Sequence, residues 1–248
     1  MSLPPELRKV LPAATARAWE KVAPLVPEGA YLAGGTAIAV HLHHRQSRDL
    51  DFFVSAKADL GLLRDTLSQV GTFVTTVFQE DTLNGVLDDA KIQFLLAESQ
   101  RVLEPMSTVG GIQIAGLGDL LATKLKVVGD RGEMRDYFDI MVIEEQGGRR
   151  AEEGLALFVQ RYSPTVPEAA IDHIVKGLGY FGDVADDLEL PVPRETIERY
   201  WVRRQAEIVK NIDDLAGNDA PSTLGDSLPH RPMGPSGLGR KGHTFRRL

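Results

Sequence analysis

The chain of 248 residues contains no cysteine, which excludes disulfide bonds, thiol nucleophiles and thiolate metal ligands. It also lacks any apolar run close to the roughly 20 residues that a transmembrane helix needs. Residues 1–22 are too polar and too charged for a signal peptide. The remaining composition, with 43% hydrophobic and 25% charged residues, is typical of a globular protein. We therefore expect a cytoplasmic protein without a membrane partner.

Acidic residues outnumber basic ones, and the formal net charge is −7. The excess is uneven, because residues 216–248 carry a net charge of +3 and the rest of the chain carries −10. An acidic body does not indicate nucleic-acid binding, although it leaves room for a local basic cleft. The C-terminal segment is rich in glycine and proline and has no apolar periodicity. Residues 214–248 are therefore predicted to be a disordered basic tail that contacts RNA or a partner, or is simply solvated.

Hydrophobic periodicity predicts an α/β domain over residues 1–115, which includes an N-terminal helix, and a helical region over residues 116–213. The predicted strands are Ala30–Ala33, Leu50–Val54, Thr72–Phe78, Leu83–Leu87, Lys91–Leu96 and Ile112–Ile114. One predicted helix has Thr36 near its N-cap, and another runs from Leu117 to Gly129. The other predicted helices are 5–23, 58–70, 133–145, 151–161, 167–177 and 194–212.

The most informative stretch is residues 31–54, YLAGGTAIAVHLHHRQSRDLDFFV. A strand ends there in Gly34 and Gly35, and a helix begins. Glycines at this junction let the backbone approach a ligand closely, and the amides of the helix N-terminus favour a phosphate group. The alternative is a tight turn without a ligand.

Two aspartates follow this helix at Asp49 and Asp51. Alternate side chains of a strand share a face, so both carboxylates point one way while Leu50 and Phe52 point into the core. Adjacent carboxylates repel each other unless a cation compensates, and Mg²⁺ prefers such oxygen ligands. The alternative is a solvated edge of the sheet.

Together these features resemble the first motif of polymerase-beta-like nucleotidyltransferases. More closely, they resemble the AbiEii/AbiGii-type nucleotidyltransferase toxins of type IV toxin–antitoxin and abortive-infection systems. The resemblance implies an α+β fold, a mixed sheet with flanking helices followed by a C-terminal helical region. It implies that the metal and catalytic residues include Asp49 and Asp51, and that the nucleotide is bound by Gly34, Gly35, Thr36, Arg45 and Ser47.

A second segment, residues 116–143, supports the resemblance with a lysine followed by arginines and an Arg-Asp-x-x-Asp ending. The family likeness implies that Lys124 reaches a phosphate as a point charge and that Asp136 lies near the catalytic face. Asp139 is expected either to be functional or to pair with Arg135 on the surface of the helix.

The sequence departs from the superfamily at Gln93, where a third carboxylate is expected on a neighbouring strand. Glutamine is neutral and a poor base, so the identity of the base is open. Asp88 and Asp89 in the preceding turn, or Asp136, are the candidates to replace it.

Three histidines, His41, His43 and His44, crowd the first helix of the motif. The lack of cysteine and the neighbouring Arg45 and Arg48 disfavour a zinc site, which leaves substrate contact or a helix surface. The two arginines are expected either to hold phosphate or to balance the charge of the aspartates.

The resemblance implies Mg²⁺-dependent transfer of a nucleoside monophosphate from an NTP to an acceptor hydroxyl. It further implies tRNA or another cellular target and a cognate antitoxin as partners. RNA contacts are expected from the basic tail and from Arg131, Arg135, Arg149 and Arg150. The alternatives are a catalytically impaired module that binds a nucleotide or a partner, and a nucleotidyltransferase of the kind that modifies small molecules such as antibiotics.

Overall fold

The computed structural model describes residues 3–55, 58–97 and 100–218. The strands are β1 Tyr31–Ala33, β2 Leu50–Val54, β3 Phe73–Phe78, β4 Thr82–Leu87, β5 Ala90–Leu96, β6 Ser107–Val109 and β7 Ile112–Ile114. The α-helices are α1 Ala13–Val22, α2 Gly34–Leu42, α3 Leu60–Val70, α4 Leu117–Arg131, α5 Met134–Gln146, α6 Ala151–Tyr162, α7 Pro167–Leu178 and α8 Arg194–Asn218. None of the helices in these ranges is both long enough and apolar enough to cross a membrane.

The seven strands form one sheet in the order β3-β4-β5-β2-β1-β7-β6. Strand β2 runs parallel to β5, and β1 runs parallel to β7, whereas the other neighbours are antiparallel. The predicted mixed sheet with flanking helices and a helical C-terminal region is therefore confirmed. Side chains of β2 alternate as predicted, with Leu50 and Phe52 buried in the core and Asp51 on the opposite face. We call that opposite face, which also carries Gln93 and Asn84, the open face.

Helix α4 connects the sheet to the C-terminal helices and carries Lys124. Its apolar residues Leu121 and Leu125 are fully buried, and α6 approaches them at Gly154, where a Cβ atom would overlap with both leucines. A buried ion pair of 2.6 Å between Asp119 of α4 and Arg161 of α6 joins the same two helices. These contacts fix α4 against the site.

The predicted N-terminal helix and α4 have other bounds in the structure. Residues 5–23 do not form one helix but a short 3₁₀ helix, Leu7–Lys9, and α1, because Pro12 between them has an extended backbone. Helix α4 does not end at Gly129 and continues to Arg131. The glycine instead allows α7 to approach, since a Cβ atom there would crowd Ile174.

Strand β6 was not predicted from the sequence. It pairs with β7 through a turn at Gly110 and Gly111, both of which have positive φ. At the other end of the chain, α8 reaches Asn218, so the predicted disordered segment 214–248 begins within this helix. Its remainder, residues 219–248, lies outside the described residues.

Candidate active site

A cavity of about 330 Å³ is lined by the β1–α2 junction, strands β2 and β5, and helices α4 and α5. All of the predicted site residues except Thr36 line it: Gly34, Gly35, Arg45, Ser47, Asp49, Asp51, Lys124 and Asp136. Gln93, Arg131, Glu133 and Arg135 border the same cavity. Residues separated by about a hundred positions in the chain are thereby brought into one site.

The paired aspartates lie on the cavity wall without a compensating partner. No lysine, arginine or histidine of the described residues forms an ion pair with Asp49 or Asp51. Burial, together with the charge of Asp49, raises the pKa of Asp51 to about 6, and Lys124 only partly opposes this. An unbalanced pair of carboxylates beside an open cavity fits a divalent cation, since a bound cation would remove the repulsion.

Gly34 and Gly35 leave room for two side chains of the site, Asp51 and Arg45. Gly34 has a φ of 66°, and a Cβ atom there would overlap with the Asp51 carboxylate. At Gly35 a Cβ atom would overlap with the Arg45 guanidinium. Among the described residues no side chain caps the start of α2, so its first N–H groups are available to an anion.

Lys124 lines the cavity from within a buried ion cluster. Its Nζ atom lies 2.6 Å from Asp136 Oδ1 and 2.8 Å from Asp139 Oδ2. Burial lowers the pKa of Lys124, but the charges of Asp139 and Asp136 outweigh it and raise that pKa well above its usual range. The side chain is therefore charged, and the two carboxylates already balance much of its charge.

Asp136 is held at the start of α5 on both of its oxygens. Oδ1 accepts from Lys124, and Oδ2 accepts from the Glu133 N–H at 2.9 Å in a capping box. Of the other two candidates to replace the third carboxylate, Asp88 and Asp89, neither lines the cavity, and Asp88 accepts from Lys21 and from the Thr72 N–H. Gln93 lies directly opposite Asp51 in the β2–β5 register, where the third carboxylate was expected.

Asp139 is the centre of the buried cluster, and of the two alternatives left open by the sequence, the surface pair with Arg135 is wrong. Asp139 is fully buried. Its carboxylate accepts hydrogen bonds from Arg45 Nε at 2.7 Å and from Arg45 Nη2 at 2.8 Å, and it lies 2.8 Å from His44 Nε2. Burial would raise the pKa of Asp139, but Lys124, Arg45 and His44 hold it far below its usual range. Arg135 instead lies 3.2 Å from Asp187. An aspartate among apolar neighbours on α5 was the signal for a buried partner.

Thr36 is the predicted site residue that does not face the cavity. It lies near the N-cap of α2, as predicted, in the first turn after Ala33, but it is fully buried. Its hydroxyl donates to the Asp49 carbonyl at 2.5 Å and lies 2.8 Å from the Ser47 hydroxyl. The predicted contact with the nucleotide is thus replaced by a role in holding the segment that carries Asp49.

The remaining candidates are dispersed. His41 bonds to the Ala115 carbonyl, and His43 ends α2 with a left-handed backbone. Within the described ranges no group of three or more histidines and carboxylates is placed to hold a metal ion. Arg149 is paired with Glu104 and Glu153 and does not border the cavity.

Residues 17–102 match a family described as nucleotidyl transferase AbiEii toxin, Type IV TA system. This match confirms the resemblance over residues that include the glycine turn, both aspartates and Gln93. An uncharacterized protein of Aquifex aeolicus (strain VF5) is 29% identical over 194 residues, which cover 76% of this chain and 88% of that protein.

Two solved structures are also similar. A tRNA-processing enzyme (apo form I) has a TM-score of 0.36 and 15% identity, and the match covers 87% of this chain and 61% of that one. MenT4, a nucleotidyltransferase toxin from Mycobacterium tuberculosis H37Rv, has a TM-score of 0.31 and 13% identity, with 79% and 95% covered. The chain thus spans less than two thirds of the tRNA-processing enzyme. At these scores neither likeness bears on the activity.

Proposed function

We propose that the protein is a nucleotidyltransferase that transfers a nucleoside monophosphate from an NTP to an acceptor hydroxyl. The observation that carries the proposal is the unbalanced carboxylate pair, Asp49 and Asp51, on the wall of a cavity that also contains the uncapped start of α2. A triphosphate needs both features, a cation on carboxylates and N–H groups for its oxygens. The family match of residues 17–102 supports the same class of reaction.

Asp49 and Asp51 are proposed to hold Mg²⁺. When bound, this ion would offset the charge of the triphosphate and orient the α-phosphate for attack. Gln93, opposite Asp51, brings a neutral amide to the same cavity.

The cations of the cavity differ in how far they are free to bind phosphate. Lys124 and Arg45 are paired with carboxylates of α5. They are therefore well placed to contact a phosphate but add little net positive charge to the cavity. Arg131 is exposed at the cavity and pairs with no carboxylate of the described residues. We propose that Arg131 neutralises the departing pyrophosphate, with Lys124 contacting a phosphate oxygen.

The transfer is an in-line displacement at the α-phosphorus. The acceptor oxygen forms a bond to phosphorus, the bond to the bridging oxygen of the β-phosphate breaks, and pyrophosphate leaves with that electron pair. The proton of the acceptor hydroxyl passes to solvent. The family resemblance favours tRNA or another RNA as acceptor and an antitoxin protein as partner, which is consistent with a toxin.

The test incubates the full chain with Mg²⁺, total tRNA and each α-labelled NTP in turn. Label is expected in RNA, and it should fall to background in Asp49→Ala and Asp51→Ala but not in Asp65→Ala, which removes an exposed carboxylate of α3. Label in a small-molecule fraction alone would instead indicate an antibiotic-type transferase. Folded protein that labels neither fraction with any NTP would contradict the proposal.

A second candidate, a nucleotide-binding module with impaired catalysis, is favoured by one observation, the position of Gln93 opposite Asp51. It predicts NTP binding without transfer. The variant Gln93→Asp would then gain transfer activity, whereas in an active enzyme it should change the rate little or reduce it.

A further inference from the structure

A second cleft, of about 290 Å³, opens over strands β3 to β5 and shares Asp49, Asp51 and Gln93 with the cavity described above. Its other polar residues are Thr76, Asn84 and Lys91. The two spaces therefore meet at the carboxylates, one reaching toward α4 and α5 and the other across the open face of the sheet.

The register of the strands aligns the polar groups of this cleft. Asp51 lies opposite Gln93 in the β2–β5 pair, and Gln93 lies opposite Asn84 in the β4–β5 pair. Neighbouring strands are about 4.8 Å apart, so two amide side chains follow the carboxylate in a row across three strands. A register shift between Thr75 and Val77 adds Thr76 to the cleft, as bulges beside sites commonly do.

Two groups in this cleft lack partners. Asn84 Oδ1 is buried, and none of the described residues donates a hydrogen bond to it. Lys91 is exposed and pairs with no carboxylate within the described ranges. A buried acceptor without a donor destabilises the free protein, so a rotation of the Asn84 amide that brings Oδ1 to a donor on a ligand in the cleft would be favourable.

The in-line geometry of the transfer assigns different substrates to the two spaces. Attacking and leaving oxygens must lie on opposite sides of the α-phosphorus. Lys124, Arg131 and the uncapped start of α2 all border the first cavity, so the triphosphate and the departing pyrophosphate belong there. The attacking hydroxyl then approaches from the other side of the carboxylates, which is the side of the second cleft.

We propose that the second cleft binds the acceptor, and that the acceptor is the terminal nucleotide of an RNA strand. This inference rests on the proposed function. The amides of Asn84 and Gln93 have the donor and acceptor groups that bind base edges, and Lys91 suits the adjoining phosphate. Val74 and Val77 of β3 are 58% and 37% exposed beside the cleft and offer an apolar surface to an unstacked base.

Lys91 also argues against the other acceptor class. A cationic small molecule would be repelled by it, whereas a phosphate is attracted. In the proposed step, the terminal ribose hydroxyl forms the bond to the α-phosphorus of the NTP. Pyrophosphate leaves with the electrons of the broken bond, and the hydroxyl proton goes to solvent.

The kinetic test uses Lys91→Ala, with Lys210→Ala as a matched control, because Lys210 is also exposed and lies on α8 away from the cleft. The KM for acceptor RNA is expected to rise about tenfold in Lys91→Ala and to stay unchanged in the control. The KM for the NTP should change in neither variant. An unchanged RNA KM, or an equal rise in both KM values, overturns the assignment of the cleft.

Asn84→Ala tests base recognition, which a merely structural residue would not affect. With RNAs that differ only in their terminal base, the preference for one base in kcat/KM is expected to fall by about tenfold. If the variant keeps the base preference of the wild type, the Asn84 amide does not recognise the terminal base.

Photo-crosslinking tests the cleft without relying on transfer. A single-stranded RNA with a terminal 4-thiouridine is irradiated with the full chain, and the crosslinked peptides are identified by mass spectrometry. Crosslinks within residues 73–96 are expected. Transfer to RNA with crosslinks elsewhere only, or with none, overturns this inference alone, whereas crosslinks in this segment without any transfer contradict the proposed function alone.

Discussion

Asp51 is the residue whose chemistry the fold changes most. It lies on β2 and lines the cavity together with Asp49. Its carboxylate is so close to the Gly34 backbone that a Cβ atom there would overlap with it. Burial and the neighbouring charge raise its pKa to about 6, so ionising Asp51 at neutral pH costs free energy in the metal-free protein. This cost is what a bound cation would relieve.

Asp51→Asn is therefore expected to stabilise the metal-free protein at high pH. The folded-state pKa of about 6 exceeds the ordinary value of 3.8, so the stability that the protonated carboxyl contributes is complete below about pH 4 and is lost as the pH rises through 6. Since one pKa unit corresponds to about 1.4 kcal/mol, the variant should gain about 2 to 3 kcal/mol at pH 8. Urea unfolding in EDTA measures this, and equal stability of variant and wild type at pH 8 would refute it.

Gly34 offers a matched test of the turn, because Gly148 has the same φ of 66° but open space around it. Alanine at either position should cost about 1 to 2 kcal/mol of backbone strain. Only Gly34→Ala should also abolish nucleotidyl transfer, since its Cβ atom would displace the Asp51 carboxylate. The transfer assay, combined with unfolding curves, separates the two effects, and equal activity of both variants would contradict the predicted overlap.

At the scale of elements, α5 is the helix that joins the site to the C-terminal region. It presents Asp136 to the cavity, Asp139 to the buried cluster and Glu144 to α8. Lys124 of α4 pairs with the first two carboxylates and Arg204 of α8 with the third, so ion pairs tie α5 to both of these helices. Buried ion pairs of this kind contribute little net stability, but removing one partner leaves an uncompensated charge.

Asp139→Asn should destabilise the protein strongly, because Arg45 and Lys124 would lose their buried counter-charge. We expect a loss of about 3 kcal/mol at pH 7. The pKa of Asp139 lies far below its usual range, so its contribution is present at neutral pH and is lost only as the medium becomes strongly acidic. Asp130→Asn, which removes an exposed partner of Lys126 on α4, should change the unfolding free energy by less than about 0.5 kcal/mol.

The contact between α5 and α8 is tested by substituting Arg204, with the neighbouring Arg203 of α8 as the matched control. Arg204 is 2% exposed and bonds to Glu144 at 2.8 and 2.9 Å, whereas Arg203 is 68% exposed and lies 3.9 Å from Glu207. Arg204→Ala should cost about 3 kcal/mol and Arg203→Ala less than about 0.5 kcal/mol. Similar urea midpoints for the two variants would show that the Glu144 contact does not hold α8.

At the scale of the whole molecule, one hydrophobic core extends from the N-terminal residues to α8. The cavity lies where the sheet meets the helical region, so it depends on both predicted parts of the chain. A ligand bound there should therefore stabilise the entire fold, because unfolding either part destroys the site.

Mg²⁺ is accordingly expected to raise the unfolding free energy of the wild type, by about 2.7 kcal/mol at a concentration a hundred times its Kd. Asp49→Ala should lose this gain, and EDTA should reverse it. Calorimetry with and without Mg²⁺ makes the measurement. An equal Mg²⁺ response in Asp49→Ala would mean that the ion binds elsewhere.

Agreement between sequence and structure is best where local chemistry decides. The alternation of Leu50–Val54 predicted β2 with its observed bounds and placed Asp51 on the face away from the core, because side-chain direction in a strand depends only on the backbone. The glycine turn and most of the residues implied by the family resemblance also line one cavity. Their catalytic roles stay predictions.

The sequence failed where a residue's role depends on distant partners. A glycine is typical of a helix end, yet Gly129 lies within α4, where the lack of a side chain lets α7 pack closely. Thr36 holds the Asp49 carbonyl and does not face the cavity. Asp139 shows the same limit, since nothing local identifies His44 and Arg45, more than ninety positions away, as its partners.

The sequence alone predicted the strands and helices with strong periodicity and the motif with its two aspartates on one face, because these follow from backbone geometry and short-range spacing, whereas the class of fold was implied by the family resemblance. Only the tertiary structure decided the order of the strands, the partners of Lys124 and Asp139, and the second cleft beside Gln93. The physical reason is that strand pairing and buried charge are settled by contacts between segments far apart in the chain, which spacing along the sequence does not encode.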